Sequence, residues 1–547
     1  MRAYCPAVLA ALAISGGSCA VGRGAAVGGA SARVRAPLLA PRPLTMLGEP
    51  EPKPGAGGGA RRAQGARTSS ADEYAGSNSD SEGDRRALLA ADDPSACPRS
   101  WRDAALLPAL LGVYVHNQWS RSLLFYLVDF GARESGGSGA RATRELMNVE
   151  LGFGPETYGV LASLPFTLVF APASLLAGTA ADRLDRARLT WVSLLCWSAA
   201  TLWQGAAQSV GEVAASRALQ GLAQAVTTPA AFTLIADVTP AARRGTANSI
   251  FASGVYVGGG LAALSILLDE ALGWRGTLYA AAALGALLAA GAALTLDDPR
   301  EREPQGSAAR TEAPADAASA SVEGDAFRGA RTLMAEQIAS LGRTAAAVSQ
   351  RPAVQLLLFS CALRFCAGFS IAVWVGPWGR GAFPEHEADF ALAKASISAF
   401  GGGFSAIAGG ALSDKLGERD AARRLWLPIA GSVGAAVCWS AMLDAQSFDV
   451  AMRWLLLQYL CAECWFGAAV ATLQAQLPKE VQGGAQGAFS TLTVVGNVAP
   501  LLIGQASRSA PLADVLHQAV PAMYVGSAIA FALTCRQLGR PPRPEAE

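Results

Sequence analysis

Four apolar stretches of this chain are interrupted by side chains that could bind an ion or move a proton. The run His116-Asn117-Gln118-Trp119-Ser120-Arg121 places Asn117 one helical turn before Arg121, on the same face. Arg217 is followed by Gln220 and Gln224 at i+3 and i+7, so these three also share a face. Arg364 and Glu463 are the matching oddities in two later stretches. An ionisable group at membrane depth costs roughly 3 kcal/mol or more, so each is read as functional. A guanidinium suits a carboxylate or phosphate, a carboxylate can exchange a proton, and an amide hydrogen-bonds without titrating. Arg121, Asn117, His116, Arg217, Gln220, Gln224, Arg364 and Glu463 therefore form the candidate substrate or coupling set. The plainer alternative for each is snorkelling to the interface or bonding to backbone carbonyls.

Catalytic chemistry has little support. The three histidines, His116, His386 and His517, are dispersed, and no nucleophile motif stands out. No phosphate-cradling G-x-x-x-x-G-K-[ST] is present, which disfavours an ATP-driven pump. Cys461 and Cys464 form one C-x-x-C inside an apolar run, without partners at zinc spacing, and read as small apolar side chains one turn apart. No catalytic residue, cofactor or metal site is expected.

The elements that carry these residues follow from hydropathy. The chain is 52% hydrophobic and 16% charged, against roughly 25% charge for a soluble domain. Stretches long enough to span a bilayer lie near 104–130, 156–178, 187–207, 211–236, 247–270, 275–296, 353–381, 388–413, 424–444, 449–476, 485–506 and 514–536. The fold class is an all-α membrane protein with about twelve transmembrane helices in two pseudo-symmetric six-helix bundles. The expected organisation is a signal-like segment 1–20, a disordered region 21–103, a bundle 104–297, a linker 298–350, a second bundle 351–536 and a tail 537–547. Residues 325–348 have the pattern of an amphipathic surface helix. Gly254, Gly258, Gly259 and Gly260 suggest a seam where another helix approaches closely.

One short pattern occurs twice, at equivalent places in the two halves. Gly178-Thr-Ala-Ala-Asp182-Arg183-Leu-Asp-Arg186 follows the second stretch, and Gly410-Ala-Leu-Ser-Asp414-Lys415-Leu-Gly417-Glu-Arg419 follows the eighth. Parallel repeats of this kind are typical of transporter halves. Gly178 is expected to let two helices close near one point, and Asp182 to cap the next helix or pair with a neighbouring Arg. Gly178, Asp182, Arg183, Arg186, Gly410, Asp414, Lys415 and Arg419 are read as a gate. The plainer alternative is that these charges only set topology. Arg and Lys between stretches two and three, four and five, and eight and nine place those loops in the cytosol or stroma, with Arg133, Arg141 and Arg144 as a mild exception.

The start of the chain resembles a signal peptide followed by an Arg-rich, acid-poor transit peptide, which suggests a plastid envelope. Asp84-Arg-Arg-Ala-Leu88-Leu89 matches an acidic di-leucine pattern and suggests an endolysosomal or vacuolar membrane instead.

The doubled hairpin resembles the signature of the major facilitator superfamily, over roughly residues 104–536. Arg217-Ala-Leu-Gln220-Gly221 resembles that superfamily's fourth-helix R-x-x-x-G, and Asp185 departs from the usual Gly. Ala236-Asp-Val-Thr-Pro240, Gly273-Trp274-Arg275 and Val495-Gly496-Asn497-Val-Ala-Pro500-Leu-Leu-Ile-Gly504 resemble the spinster-like transporters, which are linked to lysolipid and sphingolipid export. The resemblance implies that helices one, four, seven and ten line a central cavity. Spinster-like proteins carry an Asp before the helix-one Arg and a Glu in helix four, where this chain has Ser120 and Gln224. Both arginines remain without those carboxylates. Coupling has then moved, with Glu463 the candidate, or the protein is a uniporter.

The expected function is a secondary or facilitative transporter that moves an anionic or amphipathic organic solute by alternating access. The alternatives are an organic-anion or phosphate carrier and a non-transporting sensor on the same scaffold. The expected partners are a small anionic or lysolipid-like substrate and the lipid bilayer. No nucleic acid is expected, and the protein should act as a monomer.

Overall fold

The computed structural model describes residues 101–131, 146–302, 339, 342–418, 420–478, 489 and 491–539. The first half holds α1 (Trp101–Ser122), α2 (Pro155–Arg183), α3 (Arg186–Ala206) and α4 (Val210–Gln224, continued by Thr227–Val238). The next two spans are Ala241–Ala252 followed by Gly254–Thr295, which Gly273 divides into α5 and α6. The second half holds α7 (Pro352–Ala382), then α8, built from Glu387–Ser396, a π-helical stretch Ile397–Gly402 and Gly403–Gly417. It continues with α9 (Trp426–Leu443) and α10, where the 3-10 turn Glu463–Trp465 separates Phe448–Ala462 from Phe466–Gln476. It ends with α11 (Thr491–Ala506) and α12 (Leu512–Leu538).

These twelve spans fall where hydropathy put them, within a few residues. The N-terminal segment 1–100, with its targeting patterns, lies outside the described residues. So does most of the expected surface helix 325–348, of which residue 339 and residues 342–348 are described and helical.

Gly273 shows why α5 and α6 separate. Its φ of 70° and ψ of 170° lie in a region that strains any residue with a Cβ. The reversal presents Trp274 and Arg275 to the preceding loops. Trp274 Nε1 donates to Glu150 at 2.6 Å. Arg275 pairs with the same carboxylate at 2.7 Å and donates to the carbonyls of Gly205 and Ala207 at 2.7 and 2.8 Å. Burial pushes the Glu150 carboxyl up, but the bonds from Arg275 and Trp274 outweigh it and hold it below the usual range. The Gly-Trp-Arg motif thus ties the α5–α6 junction to the end of α3 and to the loop after α1.

The glycine seam of α5 meets two helices. A Cβ at Gly258 would sit 2.6 Å from the Val115 carbonyl oxygen of α1, and one at Gly260 would sit 2.9 Å from the Ala395 oxygen of α8. Backbone cannot yield at such distances, so only glycine permits these approaches.

The halves meet closely where α2 packs on α11, α5 on α8, and the end of α1 on α7. Among the described residues, the polar contacts joining them run from mid-helix to the end opposite the repeated hairpins. Tyr158 Oη donates to the Val373 oxygen at 2.6 Å, and Ser398 Oγ donates to the Tyr256 oxygen at 3.2 Å. Arg380 and Asp269 form an ion pair at 2.8 Å with both side chains fully buried. These contacts close that end of the interface between the halves.

Candidate functional site: buried cations among the helices

In the first half, Arg217 projects from α4 between α1 and α2. It is 1% exposed and donates to the carbonyls of Arg121 and Ala162 at 3.2 and 3.1 Å. Its Nε has no partner. The Arg121 guanidinium lies over the rings of Phe166 and Phe170 at 4.3 and 5.4 Å, and Arg217 lies 5.9 Å from both Phe125 and Phe166. Two cations therefore share one aromatic ring. Among the described residues neither has a carboxylate at ion-pair distance, and like charges this close in a low dielectric favour an anion between them.

The amides beside them are engaged. Gln224 Nε2 donates to Ser120 Oγ at 3.2 Å, and Gln220 Nε2 donates to Thr201 Oγ1 at 2.8 Å. Asn117 Nδ2 reaches Thr227 Oγ1 at 3.5 Å. The acceptor oxygens of Gln220 and Gln224 are buried without partners. Gln220 thus points toward α3, while Gln224 and Asn117 bind α1 to the break in α4.

His116 lies elsewhere than the sequence reading placed it. It turns away from the arginines into the packing of α1, α3 and α6. Trp197 Nε1 donates to its Nδ1 at 3.0 Å, and its Nε2 faces the Ala281 oxygen at 2.9 Å. An indole N–H only donates and a carbonyl only accepts, so the ring must be neutral with the proton on Nε2. Both nitrogens are consumed by structure.

The second half supplies a second group. Arg364, from α7, is 3% exposed and donates to the carbonyl of Ala462, the residue before the 3-10 turn of α10. Its guanidinium lies over Trp465 at 5.3 Å and Tyr524 at 4.6 Å, with Nε and Nη1 unpartnered. Glu463 opens that turn and accepts from Tyr256 Oη of α5 at 3.4 Å. Lys394, from α8, is 2% exposed and donates to Tyr459 Oη at 2.9 Å. Irregular turns interrupt α8 and α10 beside these residues. Lys394 escaped the sequence reading, although a lysine in Phe390-Ala-Leu-Ala-Lys394-Ala-Ser-Ile-Ser398 breaks an apolar stretch as plainly as Arg121 does.

Gly178 and Gly410 lie inside α2 and α8 rather than in a turn, and a Cβ at either would meet nothing within 4 Å. Asp182 is still within α2, so it does not cap α3. Asp185 does, accepting from the N–H groups of Ala187 and Arg188 at 2.9 and 3.1 Å. The residue that departs from the usual glycine thus performs the capping. Arg186 is fully buried and pairs with Asp298 and, at 2.7 Å, with Asp237. Asp414 and Lys415 are exposed. The side chains of Asp182 and Arg183, and all of Arg419, lie outside the described residues.

The Arg186 pairing has a pH signature. Burial pushes the Asp298 carboxyl up, but the hydrogen bonds and charge of Arg186 and the Arg300 N–H outweigh it and hold it down to about 2. A depressed carboxylate stabilises the fold above its unfolded value of roughly 3.9 and loses that contribution as pH falls toward the folded value. Detergent-solubilised protein should therefore lose thermal stability between about pH 4 and pH 2. Asp298→Asn should melt lower at neutral pH and show a flatter acid limb. Breaking a buried pair costs roughly 3–5 kcal/mol, and the remaining Asp237 places this case at the low end. An unchanged acid limb in the variant would remove Asp298 as the titrating group.

The sequence profile of the Major Facilitator Superfamily matches residues 137–500. The chain belongs to the major facilitator superfamily. It is an integral, multi-pass membrane protein of that fold. A bacterial homolog of the human lysosomal transporter Spinster, solved inward-facing and unoccupied, superposes with a TM-score of 0.58 at 19% identity, covering 80% of this chain and 96% of that one. At that identity the likeness concerns the fold. The puromycin resistance protein of Streptomyces alboniger is 37% identical over 154 residues, 27% of this chain and 29% of that protein. The "Probable anion transporter 4, chloroplastic" of Oryza sativa subsp. japonica is 30% identical over 145 residues, 26% of this chain and 24% of that protein. The chain thus spans less than a third of the length of these two curated relatives.

Proposed function

We propose that this major facilitator protein is a transmembrane transporter for organic anions with an apolar portion, working by alternating access. One observation carries the reading: Arg121 and Arg217 converge on the Phe166 ring, without a carboxylate at ion-pair distance among the described residues. A site that holds two cations and no counter-ion favours a ligand that brings one. The rings of Phe125, Phe166 and Phe170 beside the guanidiniums suit an aliphatic or aromatic body rather than a bare inorganic ion. Arg364 and Lys394 add two further cations against the single carboxylate of Glu463. The resemblance to spinster-like proteins and the match to an anion transporter agree with this class, and the chloroplastic relative agrees with a plastid envelope. The closed end opposite the hairpins corresponds to a state in which the cavity opens toward the hairpin side.

The test is uptake by the purified full-length chain in proteoliposomes. The panel comprises lysophosphatidate, an aromatic carboxylate, inorganic phosphate, and neutral and cationic analogues of similar size. Uptake of the amphipathic anions above protein-free vesicles supports the reading. A preference for the cationic analogues, or no flux of any anion, overturns it.

A further inference from the structure

We propose that the hairpin between α8 and α9 holds the phosphate of an anionic phospholipid, with Arg424 as its principal cation. The site lies on the rim of the second half, apart from the buried arginines described above. It is at the hairpin end of the molecule, opposite the far end that Arg380 and Asp269 close.

The two copies of the repeated hairpin treat their cations differently. In the first, Arg186 opens α3 and is fully buried between the carboxylates of Asp237 and Asp298. That neutralisation uses one acid from the end of α4 and one from just after α6. In the second half, α10 ends in Ala475-Gln476-Leu477-Pro478 where α4 ends in Ala236-Asp237-Val238-Thr239-Pro240, so an amide replaces the first acid. The end of α12 reads Cys535-Arg536-Gln537-Leu538-Gly539, with no acid in place of Asp298. Arg424 stands, like Arg186, where the next helix begins. It makes neither an ion pair nor a hydrogen bond among the described residues, and its Nε is buried without a partner. The nearest acid along the chain, Asp420, is engaged: it accepts from the Ala422 N–H at 3.0 Å and faces Arg423 at 3.9 Å.

Gly417 determines where the Arg424 side chain lies. A Cβ there would overlap Arg424 Nε and sit 2.6 and 2.7 Å from its Cγ and Cδ. The stem of Arg424 thus occupies a slot that only glycine leaves open. The first copy has Asp185 at this position and uses it to cap α3. One hairpin therefore carries its own carboxylates, and the other carries a slot and an uncompensated guanidinium.

The slot sits at headgroup depth. α9 begins at Trp426, which is 54% exposed, with the Arg423 guanidinium 5.6 Å from its ring. An exposed indole at the end of a spanning helix marks the membrane interface. Further cations surround the slot. Lys415 and Arg423 belong to the same hairpin. Cys535 Sγ donates to the Ala422 oxygen at 3.4 Å, which brings Arg536 of α12 to this rim. Leu425 and Val354 share an apolar cluster, which brings in Arg351 at the start of α7. A guanidinium with free donors suits a phosphate oxygen. Below it, Leu412 of α8 and Val433 and Val437 of α9 are exposed along the spans, where acyl chains can lie. Those faces favour a lipid over a free phosphate, which would use the charge alone.

The test melts detergent-solubilised full-length protein with added phosphatidylglycerol, phosphatidylcholine of the same chains, or inorganic phosphate. Phosphatidylglycerol should raise the melting temperature of the wild type more than phosphatidylcholine does, and inorganic phosphate at equal concentration should not raise it. Arg424→Gln should need about ten times more phosphatidylglycerol for the same shift, the loss of one charge-assisted partner. Gly417→Ala keeps the net charge but displaces the Arg424 stem, so it should weaken the shift as well, and it serves as the test if Arg424→Gln does not fold. Arg188→Gln removes an exposed cation from the first hairpin and should respond as the wild type does. Equal losses in Arg424→Gln and Arg188→Gln would reduce the effect to diffuse surface charge and overturn the proposal. An undiminished shift in Gly417→Ala, an equal shift with inorganic phosphate, or no preference for phosphatidylglycerol in the wild type would also overturn it.

Discussion

On the proposed anion-transport reading, uptake of amphipathic anions should fall at least 100-fold when Arg217 is replaced by Gln, while the amount of folded protein stays close to wild type. Arg217 makes two hydrogen bonds to carbonyls, at 3.2 and 3.1 Å, which strap α4 to α1 and α2. A glutamine amide also carries two donor hydrogens, so much of that strapping can persist. What it lacks is the charge and the unpartnered Nε. Removing one partner of a desolvated, hydrogen-bonded charge pair costs roughly 2–5 kcal/mol. Each 1.4 kcal/mol is a factor of about ten, so about 2.8 kcal/mol, well inside that range, gives the expected loss. Arg217→Lys should recover part of the uptake, because an ammonium keeps the charge but not the planar fork. Initial rates and substrate affinity in proteoliposomes, with size-exclusion profiles as the control, check the prediction. Uptake within a few-fold of wild type would reduce Arg217 to a structural strap.

Gly504→Leu should lock the transporter with its far end open, and so abolish turnover without unfolding it. Gly504 of α11 faces the start of α2. A Cβ there would lie 2.7 Å from the Pro155 carbonyl oxygen, 3.2 Å from Gly159 Cα and 3.2 Å from Trp374 Cζ2. Two of the three are backbone, and Trp374 is held by its own bond from Nε1 to the Pro500 oxygen at 3.0 Å. In an ordinary core such crowding costs roughly 1–3 kcal/mol or more. Here the two helices belong to different halves, so the strain is relieved by keeping the halves apart. A bias of about 3 kcal/mol moves a two-state equilibrium more than 100-fold. An alkylation reporter at the exposed Asp414, on the hairpin side, should react more slowly in the leucine variant as that side closes, and Gly504→Ala should fall between. Normal labelling together with normal uptake would show that the α2–α11 approach does not limit the cycle.

Arg217 was visible in the sequence because a guanidinium in an apolar stretch is costly wherever the helix lies. The Gly504 stretch was visible only as a resemblance. Its reason, a close crossing with α2 and the tethering of Trp374 through Pro500, belongs to residues hundreds of positions away. His116 and Lys394 show the two directions in which local reading errs. His116 looked like a site residue because it neighbours Asn117 and Arg121 in the chain, yet one residue is 100° of rotation on a helix, enough to face α3 and α6 instead. Lys394 carries the same sequence signal as Arg121, a lone cation in an apolar stretch. Asp182 and Asp185 differ by three residues, and the choice of cap depended on where α2 stops, a boundary that pattern alone locates poorly.

The amino-acid order by itself determined the twelve spans, the division into two halves and the cations that had to be sheltered within them. Those properties are set over about 20 residues by the bilayer and by backbone hydrogen bonding, so they are written locally. Which faces met was decided only in three dimensions. The Arg380–Asp269 pair at the closed end, the sharing of Phe166 by two arginines and the donation from Tyr256 to Glu463 each join distant parts of the chain. Such contacts arise from helix rotation and close backbone approach, and no window of sequence contains them.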